Sequence, residues 1–227
     1  MKRILFSLYL SLIAMLSFAT GEFTVADVFT DHMVLQRNAV VKIWGEAPSG
    51  SVIEVRFAGQ SRQVKAVQGK WKATLKTGEA GGPYQLDVIN GNNKVSFQDV
   101  LIGDVWLAGG QSNMEFALRR VKDAQAEIGS ADYPQIRYYK VPRKFYPEQS
   151  VSKASWNVCS PQTASEFSAI AYYFSRNIHK ELNIPIGIIQ TPVGGTTVEA
   201  WTSRNMLMSD KDFRPIVQHY DSIVDSY

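Results

Sequence analysis

The amino-acid sequence predicts an α/β protein in which a small antiparallel β-sandwich precedes an open parallel sheet with helices on both faces. Three features of the chain lead there. Short apolar runs punctuated by turn residues fill the first part as far as Asp99. After Asp99, apolar strand-like runs alternate with segments of helical periodicity, the pattern of a parallel sheet. The stretch Asp104 to Phe116, reading Asp-Val-Trp-Leu-Ala-Gly-Gly-Gln-Ser-Asn-Met-Glu-Phe, passes from strand to helix within one turn.

Residues 1–19 stand apart from that fold. Lys2 and Arg3 give a basic start, Ile4 to Leu16 is apolar apart from two serines and a tyrosine, and Ser17-Phe18-Ala19 offers small residues at cleavage spacing. This composition reads as a secretory signal peptide, too short for a comfortable membrane span. No cysteine lies near the cleavage point to carry a lipid. The mature chain is therefore expected to begin near Thr20, to be secreted or periplasmic, and to have no membrane anchor. Loss of Lys2 and Arg3 takes the formal charge from +3 to +1, so nothing electrostatic points to nucleic acid as a partner. Cys159 is the only cysteine, which excludes an internal disulfide and a cysteine metal cluster; it reads as a small core residue.

The sandwich is assigned to residues 20–99. Val40 to Trp44 is a strand closed by Gly45. Ser51 to Phe57 follows the turn Pro48-Ser49-Gly50, and Ala58-Gly59 marks the next turn. Lys70 to Leu75 alternates cleanly, with Trp71, Ala73 and Leu75 on one face and Lys70, Lys72 and Thr74 on the other. Gly81-Gly82-Pro83 opens Tyr84 to Ile89, and Asn90-Gly91-Asn92-Asn93 turns the chain into Lys94 to Phe97.

The second unit is assigned to residues 100–227. Val105 to Ala108 is a short apolar run of the buried-strand kind. From Met114 the period is helical, with Met114, Leu118, Val121 and Ile128 on one face. Ile136 to Val141 is an apolar and aromatic strand, followed by a Pro- and Lys-bearing connection from Pro142 to Pro161. Phe167, Ile170, Ala171, Phe174, Ile178 and Leu182 mark an amphipathic helix, with Thr163 and Glu166 as a possible capping box before it. Pro185 ends that region, and Ile186 to Gln190 is another buried strand.

Sites in such sheets lie at the carboxyl ends of strands, where Ser112 falls. Gly109 and Gly110 allow close backbone approach there, and amides at the start of the following helix can receive negative charge from an attacked carbonyl oxygen. The same spacing also describes an ordinary βα loop with a serine N-cap. A second glycine loop, Thr191 to Trp201, follows the Ile186 strand. It can bring a backbone N–H to a substrate, or serve only tight strand-to-helix packing.

The string Gly-Gln-Ser-Asn-Met-Glu from Gly110 resembles the first signature block of the sialate O-acetylesterase family, a branch of the SGNH hydrolases. Met114 stands where the Gly-x-Ser-x-Gly elbow of the α/β-hydrolases needs glycine. Gly194-Gly195-Thr196 with Glu199-Ala200-Trp201 is similar to the second block of that family, with Val193 where many members have tryptophan. Asp31 to Arg37, the Phe167 to Leu182 helix and Ile184 to Gly187 also resemble family sequence.

The resemblance implies a flavodoxin-like SGNH hydrolase domain behind the sandwich, and removal of O-acetyl groups from sialic acid or related sugars. It implies that Ser112 Oγ attacks the acetyl carbonyl, and that the Ser112 N–H stabilises the oxyanion with the N–H of Gly194 or Gly195. Gln111 and Asn113 would shape the turn. The implied partner is an O-acetylated sugar or glycan, with no metal and no other cofactor. The third block of the family, a Gln-Gly-Glu stretch, and its Asp-x-x-His pair do not occur in the 227 residues. His32, His179 (beside Lys180 and expected to be solvated) and His219 do not replace them, and a serine without a base is a poor nucleophile. On that ground the chain reads as the N-terminal portion of an esterase, truncated before its catalytic base. Two alternatives stand beside it: a non-catalytic carbohydrate-binding remnant, and an SGNH esterase acting on another acetylated polysaccharide such as xylan.

Overall fold

The computed structural model describes residues 22–143 and 153–224, so the expected signal segment lies outside the described residues. The first half of the chain forms β1 (Thr24–Val25), β2 (Val34–Gln36), β3 (Val40–Glu46), β4 (Val52–Phe57), β5 (Gln60–Lys65), β6 (Lys70–Lys76), β7 (Gly81–Asn90) and β8 (Asn93–Gly110). After these come α1 (Ser112–Glu115), a 3-10 turn at Leu118–Arg120, α2 (Ala124–Gly129), β9 (Tyr133–Lys140), β10 (Trp156–Cys159) and a 3-10 turn at Ala164–Glu166. The chain then continues through α3 (Ala169–Leu182), β11 (Ile186–Pro192), a 3-10 turn at Val198–Trp201, α4 (Arg204–Ser209) and α5 (Arg214–Val224). Among the described residues no helix is long and apolar enough to cross a membrane.

A small antiparallel sheet, in the order β1-β3-β6, precedes a mixed sheet flanked by helices. The alternation in β6 places Trp71, Ala73 and Leu75 inside and its lysines outside. The second layer of the expected sandwich is not a separate sheet. Strands β4, β5 and β7 continue through β8 into β11, β9 and β10, in the order β10-β9-β11-β8-β7-β4-β5. β8 makes this possible: it is 18 residues long, antiparallel to β7 in its first part and parallel to β11 from Asp104 to Gly110. The sequence shows it as two runs because alternation lapses near Asp99, where the register against β7 shifts and Asp99 takes a φ of 53°.

Three further expectations are corrected. The helix read from Met114 is broken into α1, the Leu118–Arg120 turn and α2. Backbone groups at Phe116 to Leu118 pair instead with the segment before α3, through Ala169 N to Phe116 O at 2.8 Å and Leu118 N to Phe167 O at 2.8 Å. The Thr163–Glu166 capping box does not form; Ser168 caps α3, its Oγ accepting from Ala171 N at 3.3 Å. Among the described residues, helices also do not cover both faces of the parallel strands. α3 packs on one face through Ala171 and Tyr172, with Phe167 stacked on Tyr138. Part of the other face is covered by Val34 and Trp156, so close that a methyl on Gly187 would lie 2.7 Å from Val34 Cβ. β5 and β10 carry no apolar alternation long enough to announce them.

One polar knot ties the two halves. Arg137 of β9, almost wholly buried, donates to Asp99 Oδ2 at 2.8 Å and to His32 O at 3.2 Å, while His32 Nδ1 lies 2.7 Å from the same carboxylate oxygen. Burial alone would raise the Asp99 carboxyl, but the hydrogen bonds from Arg137 and His32 outweigh it and hold it below the usual range. A depressed carboxyl contributes stability above its unfolded pKa and loses it as pH falls through the folded value. Asp99→Asn keeps a residue that tolerates positive φ and isolates the charge. It should cost about 2 kcal/mol at neutral pH, since it leaves Arg137 buried without its counter-ion. The cost should shrink below about pH 4. Urea denaturation at pH 7 and at pH 3.5 checks both the loss and its sign.

Candidate active site

β8 and β11 run parallel and end side by side, with Gly110 opposite Pro192. The two glycine-bearing loops therefore leave the sheet at one edge and meet. A methyl on Gly194 would stand in ordinary contact with Ser112, 3.6 Å from both its Cα and Cβ, but only 2.9 Å from Glu115 Oε2, so the approach that calls for glycine is the one to Glu115. Val193 N donates to Gly110 O at 2.9 Å, and Gln111 Nε2 donates to Thr196 O. Thr196 Oγ1 donates to Val193 O at 2.9 Å and accepts from Trp201 Nε1 at 2.8 Å, which draws Trp201 over Gly109.

Ser112 is exposed and is the first residue of α1; the N-cap is Gln111, and neither side chain caps the helix. The N-cap explanation of this serine is thereby removed. α1 has four residues, too short to contribute much of a helix dipole, so local amides must supply any positive potential. Among the described residues, the N–H groups of Ser112 and Gly195 have no protein acceptor, and Ser112 Oγ makes no hydrogen bond. The Gly194 N–H, by contrast, is taken by Glu115 Oε2 at 3.1 Å. Asn113 is exposed, and its carbonyl closes the turn by accepting from Phe116 N at 3.3 Å.

Glu115 and Arg143 are site residues that the sequence did not disclose. Arg143 pairs with Glu115 Oε1 and also donates to Pro192 O at 3.2 Å. The Arg143 guanidinium, followed by the Gly194 N–H, holds the Glu115 carboxyl below the usual range against slight desolvation. Glu115 sits inside the Gly-Gln-Ser-Asn-Met-Glu string, which was a signal available to find it; nothing local marks Arg143.

Beside Ser112 lies a polar cleft of about 260 Å³, with Arg119, Arg120 and Lys140 on its walls. Arg119 is paired with Glu166 at 2.8 Å, whereas Arg120 and Lys140 have no ion pair among the described residues. No histidine reaches the serine. His32 belongs to the Asp99 knot. His179 is half-buried and bonded to Ile184 O at 2.8 Å, which corrects its expected solvation. His219 is exposed on α5. Cys159 is buried, and burial pushes its thiol up to about 12, so it is inert. Among the described residues no cluster of three or more His, Cys, Asp or Glu could hold a metal ion.

Residues 102–226 match the family described as carbohydrate esterase, sialic acid-specific acetylesterase. They are the C-terminal part of this chain, which corrects the expectation that the chain represents the N-terminal portion of such an enzyme. The chain is 29% identical over 225 residues to the sialate O-acetylesterase of Mus musculus, covering 89% of this chain and 42% of that protein. It is 30% identical over 208 residues to that of Homo sapiens, covering 82% and 40% respectively. The crystal structure of a novel carbohydrate acetylesterase from Xanthomonas citri matches with a TM-score of 0.76 and 34% identity, over 84% of this chain and 45% of that one. The chain spans about two fifths of the length of the curated relatives it matches.

Proposed function

We propose that this chain, which belongs to the family of carbohydrate esterases called sialic acid-specific acetylesterases, carries the nucleophile and oxyanion donors of a carbohydrate O-acetylesterase. The observation that carries the proposal is the meeting of Ser112 with the glycine loop at the paired ends of β8 and β11. Ser112 Oγ attacks the acetyl carbonyl carbon and gives its proton to a general base. The tetrahedral intermediate expels the sugar oxygen, which takes the proton back, and water then hydrolyses the acetyl-enzyme. The oxyanion is received by the N–H groups of Ser112 and Gly195, since the Gly194 N–H is committed to Glu115. Each such donor contributes about 3 kcal/mol in comparable sites. Gln111 and Asn113 hold the turn that presents the serine.

In this proposal residues 20–99 form the sandwich unit and residues 100–227 a flavodoxin-like SGNH unit, sharing β8 across their boundary, and the protein is exported. With Glu166 paired to Arg119 and Glu115 to Arg143, Arg120 and Lys140 leave the cleft beside the serine cationic. That charge favours a carboxylated sugar, such as an O-acetylated sialic acid, over a neutral polysaccharide such as xylan. The base has no counterpart among the described histidines. The test is acetate release by the protein purified from its native source, on O-acetylated sialic acid and on acetylated xylan. Release from the sialic acid, lost in Ser112→Ala, supports the proposal. Release from xylan alone overturns its substrate, and binding without release favours a carbohydrate-binding role.

A further inference from the structure

We infer that Glu115 is a positioning residue of this site: its carboxylate pins the glycine loop against the serine turn, and Arg143 pins the carboxylate. The inference rests on Ser112 and the glycine loop being catalytic, as proposed above. It is carried by three contacts that meet on one side chain. Glu115 Oε2 accepts the Gly194 N–H at 3.1 Å, Oε1 pairs with Arg143, and Arg143 reaches on to Pro192 O at 3.2 Å, at the end of β11. A single carboxylate thus connects α1, the glycine loop and the strand from which the loop departs.

The loop needs such a pin. Two successive glycines turn at small cost, and Gly195 already has a φ of 76°. The Val193 N–H is fixed to Gly110 O at 2.9 Å and the Gly194 N–H to Glu115, so two consecutive peptide planes are oriented from the serine side. What remains is the Gly195 N–H, which has no acceptor among the described residues. Without Glu115 the peptide between Val193 and Gly194 keeps only the Thr196 Oγ1 bond to Val193 O at 2.9 Å, from within the same loop, and loses its tie to the serine side; the Gly195 N–H shifts with it. The approach is close as well: a methyl on Gly194 would lie 2.9 Å from Glu115 Oε2. Glu115 itself touches no reacting atom in this scheme, and a misplacement of about 1 Å in such a donor can cost roughly 10²-fold in rate.

Two measurements test the inference. In the protein from its native source, Glu115→Ala should lower kcat about 10²-fold with KM little changed. Glu115→Gln, which keeps an oxygen for the Gly194 N–H, should recover at least about tenfold of that loss. In the 227-residue chain, the Gly194 amide should be protected from hydrogen exchange. Its resonance should shift with a midpoint below the usual carboxylate range, and both signatures should vanish in Glu115→Ala while the remaining spectrum shows an intact fold. An inactive Ser112→Ala beside a Glu115→Ala variant with unchanged kcat overturns the positioning role alone. Full turnover in Ser112→Ala overturns the serine mechanism and the positioning role with it. An unprotected Gly194 amide in the unsubstituted chain contradicts the contact directly.

Discussion

Ser112→Ala, introduced into the protein purified from its native source, is expected to lower acetyl-ester turnover by a factor on the order of 10⁶. In the proposed mechanism the serine supplies the bond-forming oxygen, and no other described side chain of the cleft offers a free nucleophile, Glu166 being paired with Arg119. Arg119, Arg120 and Lys140 are cations, and Glu115 is held ionised and engaged by Arg143 and Gly194. Cys159 is buried with its thiol pushed up to about 12. The structure should be undisturbed, because Ser112 is exposed and its hydroxyl makes no hydrogen bond among the described residues. Loss of turnover at unchanged stability is therefore the expected pair of results, read from kinetics on 4-nitrophenyl acetate beside a denaturant titration.

The 227 residues by themselves are expected to show little or no such turnover. Each described histidine is placed elsewhere: His32 on Asp99, His179 on Ile184 O, and His219 exposed on α5. Removal of the histidine from a serine triad costs on the order of 10⁶, leaving about 10³–10⁴ over water from the oxyanion donors and binding. The parallel half also offers apolar surface to solvent, since Trp106 and Leu107 of β8 are exposed and Leu107 is 71% accessible. Turnover by the isolated chain comparable with that of the native protein would place a base within it, and His219→Ala would be the first variant to make.

The site was partly legible because its two loops obey local rules. Gly109-Gly110 and Gly194-Gly195 each break an apolar run, and loops at the carboxyl ends of neighbouring parallel strands are bound to meet. The Arg143–Glu115 pair was not legible. Its members are 28 residues apart, and their meeting depends on β9 lying beside β11, which no periodicity encodes. The segment after Ser112 departs from its helical spacing for a related reason. Its apolar spacing is real, and Leu118 is fully buried, but the backbone at Phe116 to Leu118 bonds to residues near the start of α3 and gives up helical pairing. In the first half, turn residues bound the runs that become β3 and β4, and alternation marks β6; each of the three has one buried face. Nothing of that kind marks β5, whose burial pattern has no inside face.

The most direct test of Ser112 as the nucleophile is covalent labelling. The protein from its native source is treated with a serine-directed fluorophosphonate, digested and sequenced by mass spectrometry. The adduct should sit on Ser112, in the peptide bearing Gly-Gln-Ser-Asn-Met-Glu, and should be absent from Ser112→Ala. An adduct on another serine, or labelling that survives Ser112→Ala, would contradict the assignment.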